Sequence, residues 1–286
     1  MSAASGIGPA PGPAAPRVRS AVAGRPARLV REYLPAVVVA VAVLLVWEVA
    51  VRSLNIRAFI LPAPTAIASA LAEHWNDTRF PISKAALATL IEAVGGFLIG
   101  TTAGVVVALA ASRYGMARAV LLPIAVAANA IPIIALSPLF NAWFGITNPL
   151  AKMMMAAVLA FFPVMANVTR GLASADPAAL ELMRSYAARE RTVLWKVRVP
   201  NALPYFFTAL KLASTLSIIG AIVAEYFGGS AATLGQLVIT SISALRFDVT
   251  WGAITIAAAA GIAFYLLIAL VERLAIPWHA SARGEG

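Results

Sequence analysis

Asp176-Pro-Ala-Ala-Leu-Glu-Leu-Met-Arg-Ser-Tyr-Ala-Ala-Arg-Glu-Arg-Thr-Val-Leu-Trp-Lys-Val-Arg-Val-Pro200 is a charged segment set between two apolar stretches of the chain. It holds five of the 22 Lys/Arg residues: Arg184, Arg189, Arg191, Lys196 and Arg198. Across the whole chain 61% of the 286 residues are hydrophobic and only 12% are charged, where a soluble domain carries roughly 25% charged residues. Several apolar runs reach the ~18–20 residues needed to cross a bilayer core. The composition therefore predicts an all-α, polytopic membrane protein, with the charged segment as one of its aqueous loops. A long basic loop with its own helical pattern is built to dock something on its side of the membrane.

Outward from that loop, hydropathy predicts six spans, at about 34–51, 85–112, 120–143, 150–168, 203–227 and 250–271. The transmembrane domain runs over 31–278, with the loop at 174–201. Residues 1–30 and 279–286 read as tails, the first rich in Ala, Pro and Gly and expected to be disordered. The first span follows a basic flank, but its ~18-residue core exceeds a signal-peptide h-region and no small-x-small cleavage site follows, so it is read as uncleaved. With the N-terminus inside, 15 of the Lys/Arg residues fall in cytoplasmic segments and five outside, Lys152 and Lys211 near span ends being left out. That bias places both termini in the cytoplasm. The net charge of +10 is then a topology signal, and no nucleic-acid partner is expected. The absence of cysteine excludes thiolate metal sites and Cys catalysis.

Within the loop, Asp176 can cap a helix whose first residue is Pro177, where a missing N–H and a fixed φ cost nothing. Leu180, Met183 and Ala187 form an apolar stripe, with Glu181 and Arg184 beside it. After Ala187-Ala188 a second helical stretch carries Leu194, Trp195 and Val197, and Pro200 and Pro204 bracket the entry to the next span. Two short amphipathic helices in an L-shape either dock a partner or lie on lipid headgroups.

Other residues carry paired readings. Gly96, Gly100 and Gly104 make one face of the second span a small-residue groove, for packing within the chain or against a second copy. Pro123, Pro132 and Pro138 break the third span, which is tolerable in lipid where protein or a cavity satisfies the freed carbonyls. With Asn129, Ser137 and Asn141 nearby, that span is a candidate for pathway lining, as is Glu225. Glu48 and Glu225 are expected to snorkel to the outer interface, and Glu92, lying deeper, to pair with a Lys or Arg on a neighbouring span. The histidines lie outside the spans, and no residue pattern points to a resident metal, a cofactor or a catalytic group.

The loop resembles the cytoplasmic signature of permease subunits of ATP-binding-cassette (ABC) importers, E-A-A-x3-G-x9-I-x-L-P. Here it reads Glu181-Leu182-Met183, three residues, Ala187, nine residues, then Val197-Arg198-Val199-Pro200. Spacing is kept; Leu182, Met183, Ala187 and the valines depart from the pattern. Leu61-Pro-Ala-Pro-Thr65, Ile131-Pro-Ile-Ile-Ala-Leu-Ser-Pro-Leu-Phe-Asn-Ala-Trp-Phe-Gly145 and Val223-Ala-Glu-Tyr-Phe-Gly228 resemble elements of the nitrate/sulfonate/taurine-type permeases, a group that includes thiamine-precursor pyrimidine and riboflavin permeases.

The resemblance implies a type I ABC importer permease in the bacterial inner membrane. It implies that Glu181, Leu182, Met183, Ala187, Ala188, Val197 and Pro200 engage an ATPase subunit, that a second permease copy or paralogue completes the pathway, and that an extracytoplasmic binding protein delivers the solute. The chain has no G-x-x-x-x-G-K-[ST] phosphate loop, so ATP is expected on the partner. An ion-coupled secondary transporter is the alternative; it calls for intramembrane ionisable partners and often for repeated halves.

Overall fold

The fold is that of a computed structural model describing residues 25–113, 119–120, 123–124, 127, 132–230 and 232–277. Among these, regular structure is helical throughout. The elements are α1 (Arg25–Ser53), α2 (Pro64–His74), α3 (Ile82–Ser112), a 3-10 turn (Ile133–Ala135), α4 (Leu136–Phe144), α5 (Pro149–Ala173), α6 (Pro177–Ser185), α7 (Glu190–Val193), a π turn (Leu194–Arg198), α8 (Val199–Tyr226), α9 (Leu234–Ser243) and α10 (Phe247–Ala275).

Five stretches among the described residues are long and apolar enough to cross a membrane: Leu34–Ser53, Ile82–Ser112, Pro149–Ala173, Glu190–Tyr226 and Phe247–Ala275. They match the first, second, fourth, fifth and sixth spans read from the sequence. Residues 121–122, 125–126 and 128–131 of the expected third span, Asn129 among them, lie outside the described residues. Its described end, Ile133–Phe144, is too short to cross the ~30 Å core alone. The expected tails 1–30 and 279–286 also lie outside, apart from the start of α1.

The chain divides into two units, one up to Ala50 and one from Val51 onward. The first contributes most of α1, an apolar helix whose Val37, Leu45 and Val46 are exposed. The second is built on α3, α5 and α8. The packed face of α3 carries Thr89, Glu92, Ala93, Gly96, Gly100, Gly104 and Ala108, residues recurring every three or four positions as one side of a helix requires. Against it α5 sets Ala156, Ala157, Ala160 and Val164, all buried. Small residues on both faces let the backbones approach, which is how helices gain van der Waals contact where lipid removes any hydrophobic drive to associate. Phe97 of α3 meets Phe264 of α10 edge-to-face at 4.9 Å.

Helix starts follow local chemistry. Asn148 caps α5 by accepting from Leu150 N, with Pro149 in the first turn, and Asp176 caps α6 by accepting from Ala178 N at 3.0 Å, with Pro177 in the first turn. Two short helices were not foreseen. α2 and α9 pack on α10, and α9 buries Leu234, Gly235, Leu237 and Ser241. Both are shorter than a span, so hydropathy over a long window misses them.

Candidate functional site

The loop between α5 and α8 folds as two helical pieces joined at an elbow. α6 ends on Tyr186, and Ala187 takes the left-handed conformation, with φ of +49°. Ala187 N donates to Arg184 O at 2.8 Å and Ala188 N to Met183 O at 3.0 Å, the paired bonds of a left-handed helix C-cap. Glycine is the usual residue there, because a Cβ in this region costs ~1–2 kcal/mol. The sequence left the elbow geometry open; the structure makes the same turn with alanine. Nothing on α6 is buried, and Leu182 (56%) and Tyr186 (75%) are strongly exposed. Glu181 is exposed, Met183 and Ala188 are half-buried, and the second piece places Val197 half-buried and Pro200 exposed. The loop therefore offers an outward face that the rest of the fold does not cover.

At the other ends of α5 and α8 the polar groups turn inward. Lys152, one turn into α5, is 0% exposed. Its Nζ donates to Asn141 Oδ1 at 3.2 Å and to the carbonyl of Ile146. Asn141 Nδ2 donates in turn to Phe227 O at 3.3 Å, and Ser137 Oγ to Ala224 O at 3.5 Å. Glu225 is also 0% exposed: Oε2 accepts from Gly235 N at 2.7 Å, and its backbone carbonyl accepts from Gln236 Nε2. Thr89 Oγ1 accepts from Leu234 N at 2.9 Å, which brings α3 against the same corner.

Glu92, one turn on from Thr89, lies beside Glu225, and Lys152 is within electrostatic reach of both carboxyls. Glu92 Oε2 and Glu225 Oε1 are buried and have no hydrogen-bond partner among the described residues. Isolated charge at this depth costs ~3 kcal/mol or more.

The structure thus brings together Ser137, Asn141 and Glu225, three of the four pathway candidates; the fourth, Asn129, lies outside the described residues. It corrects the reading of Glu225 as a snorkelling side chain: the carboxyl points into α3 and α9. It also adds Lys152, set aside in the sequence as a span-end residue. The signal for Lys152 was a lone cation beside an apolar run, which means a buried partner or an interface, and sequence distance hid the partner.

Two glycines make the corner possible. A Cβ at Gly235 would stand 2.7 Å from Glu225 Cβ, and one at Gly228, where φ is +151°, would stand 2.6 Å from Ile146 Cγ1.

A family model described as "Binding-protein-dependent transport system inner membrane component" matches residues 100–277. The chain belongs to this family. It is 32% identical over 243 residues to the "Probable ABC transporter permease protein" of Haemophilus influenzae, covering 84% of this chain and 95% of that one. It is 28% identical to the formylaminopyrimidine transport permease protein ThiX of Halalkalibacterium halodurans, covering 82% and 92% of the two chains. To the riboflavin transport system permease protein RibX of Chloroflexus aurantiacus it is 28% identical, covering 93% and 96%. The chain is thus an inner-membrane permease component of a binding-protein-dependent transport system.

Elsewhere in this permease the small-residue groove is filled from within. A Cβ at Gly96, Gly100 or Gly104 would lie under 3.0 Å from α5, at Ala156, Ala157 and Phe161 respectively. A second intramembrane pair, Lys211–Glu272 at 2.7 Å, joins α8 to α10. Outside the spans, His74 Nδ1 bonds Asp77 Oδ2 at 2.9 Å, and Arg246 Nη2 meets both His74 Nε2 at 2.8 Å and Asp248 Oδ2 at 2.9 Å. The hydrogen bond from His74 holds the Asp77 carboxyl down to about 2, and the bond to Asp248 raises the Arg246 guanidinium further.

Proposed function

We propose that the permease is the translocation subunit of an ATP-driven importer and that its α5–α8 loop is where ATP hydrolysis on a partner chain is felt. The observation that carries this reading is the exposed α6 helix ending in the left-handed elbow at Ala187, with Glu181, Leu182 and Met183 at the spacing of the coupling signature. An ATPase subunit lays a groove over α6, Leu182 and Tyr186 supplying apolar contact and Glu181 a charge. Closure of an ATPase pair pushes the elbow, and the spans swing between inward-open and outward-open states. The chain itself holds no ATP. A second permease copy or paralogue completes the pathway, and a binding protein on the outer side hands over the solute.

The loop and both termini face the cytoplasm, as the arginine distribution favours. The solute is small and polar or anionic, of the nitrate, sulfonate, taurine, pyrimidine or riboflavin-like kind; the relatives named for formylaminopyrimidine and riboflavin support that class. Ser137, Asn141 and Glu225 become pathway-facing when the corner they share opens. The buried Glu92–Glu225–Lys152 node is the kind of feature an ion-coupled carrier uses, but family membership favours the importer.

Glu181→Lys is the test. Substrate-stimulated ATPase activity and uptake in vesicles fall at least tenfold, while the permease inserts normally and keeps its unfolding temperature. Uptake at the wild-type rate overturns the docking role of α6.

A further inference from the structure

Where the C-terminal turn of α3 meets the second half of the loop, the structure holds a cavity of about 410 Å³ lined by Leu109, Arg113, Glu190, Arg191, Leu194 and Arg198, among others. Three guanidiniums from two chain segments face one carboxylate. None of the four charged groups is in an ion pair among the described residues. Arg198 Nε is shielded from water and has no hydrogen-bond acceptor, which leaves a buried donor unsatisfied at a cost of ~1–3 kcal/mol unless something fills the cavity.

The depth of the cavity narrows the choice of occupant. α3 has 31 residues, so it is ~46 Å long at 1.5 Å per residue. That slightly exceeds the ~40–45 Å of a whole bilayer with its headgroups, so a spanning α3 sets Arg113, at its end, at headgroup level. The lining is amphipathic to match: guanidinium forks suit a phosphate, which they bind with two parallel N–H donors, and Leu109 and Leu194 offer an apolar wall. Basic pockets between spans at the membrane surface take anionic headgroups, and the volume is that of a small-molecule site rather than of a bare ion.

We propose that this cavity binds the phosphate headgroup of an anionic phospholipid, held by Arg113, Arg191 and Arg198, with the start of an acyl chain along Leu109 and Leu194. The bound lipid bridges α3 to the loop and fixes the position of the second loop helix. Free inorganic phosphate shares the headgroup chemistry but leaves the apolar wall unused. The binding claim is independent of the ATPase reading; only the consequence, that anionic lipid tunes coupling, rests on it.

The test uses the purified full-length permease in neutral detergent, with native mass spectrometry counting retained phosphatidylglycerol against phosphatidylcholine. Wild type retains phosphatidylglycerol selectively, and Arg113→Gln and Arg198→Gln each weaken retention about fivefold, the effect of ~1 kcal/mol per basic residue. Arg113→Lys restores part of it, and millimolar inorganic phosphate does not displace the lipid. Equal retention of the two lipids by wild type, which needs no variant to fold, overturns the proposal. So does undiminished retention in both glutamine variants, or displacement by phosphate alone. Glu181→Lys separates the two readings, since it abolishes coupling yet retains phosphatidylglycerol; loss of selective retention in that variant counts against an independent lipid site.

Discussion

The two ends of α5 and α8 are built on opposite rules. At one end the chain leaves the bundle as α6 and an elbow, with no residue of α6 buried and apolar side chains turned outward. At the other end Lys152, Glu225, Ser137 and Glu92 are buried, and short helices fold back to cover them. The proposed docking surface keeps its own side chains uncovered. A corner that must hold the helices together spends its polar groups on each other.

The contrast is broken most severely at the buried corner. Lys152→Met leaves the Glu92 and Glu225 carboxyls without their cation, and removing one member of a buried charge set costs ~3–5 kcal/mol. Thermal unfolding in detergent, or the yield of inserted protein, reads that loss, and Lys152→Met/Glu225→Gln recovers a large part of it by removing one of the two carboxyls that Lys152 faces. Recovery no greater than additivity of the two single changes would mean that the groups are not coupled. Gly100→Leu comes next, because its side chain meets the backbone of Ala157. Overpacking of this kind costs ~1–3 kcal/mol, seen as lower membrane levels and less transport; unchanged levels sink the packing role.

At the exposed end the expected stability effects are small. Ala187→Gly relieves ~1–2 kcal/mol of left-handed strain at the elbow, of which ~0.4–1 kcal/mol is lost to the greater freedom of glycine in the unfolded chain. Slower hydrogen exchange at Ala188, with no fall in uptake, is the expected result; faster exchange there contradicts the strained cap. The smallest effect concerns Asp77. Its carboxyl is held down by His74, so the stability it contributes is present above its ordinary value of 3.8 and is lost as pH falls toward about 2. Asp77→Asn removes that acid-side slope, and a variant whose acid titration matches wild type would show that the His74 bond carries no linkage.

Much of the frame was legible in the sequence because bilayer length and helix periodicity act locally. Five of the six expected spans, the Asp176 cap, Pro177 in the first turn of α6 and the Gly96–Gly100–Gly104 groove all depend on neighbours a few residues apart. The corner was not, because Glu92, Lys152 and Glu225 are brought together only by the fold. α9 hid for another reason: at ten residues it is half a span, and its apolar composition reads equally as a loop between spans. Ala187 shows the limit from the other side. Its residue type left open the left-handed turn that the surrounding backbone bonds make.

The second half of the loop does not stop where the membrane begins. Glu190–Tyr226 runs as a single helical stretch of 37 residues, ~56 Å at 1.5 Å per residue, interrupted only by the π turn Leu194–Arg198 and the bend allowed at Pro204. Under the coupling proposed above, this stretch acts as a crankshaft. A torque applied beside the elbow is delivered to Glu225 at the far end, and the one place with a looser winding lies next to the point of application, where a small change in pitch rotates everything beyond it.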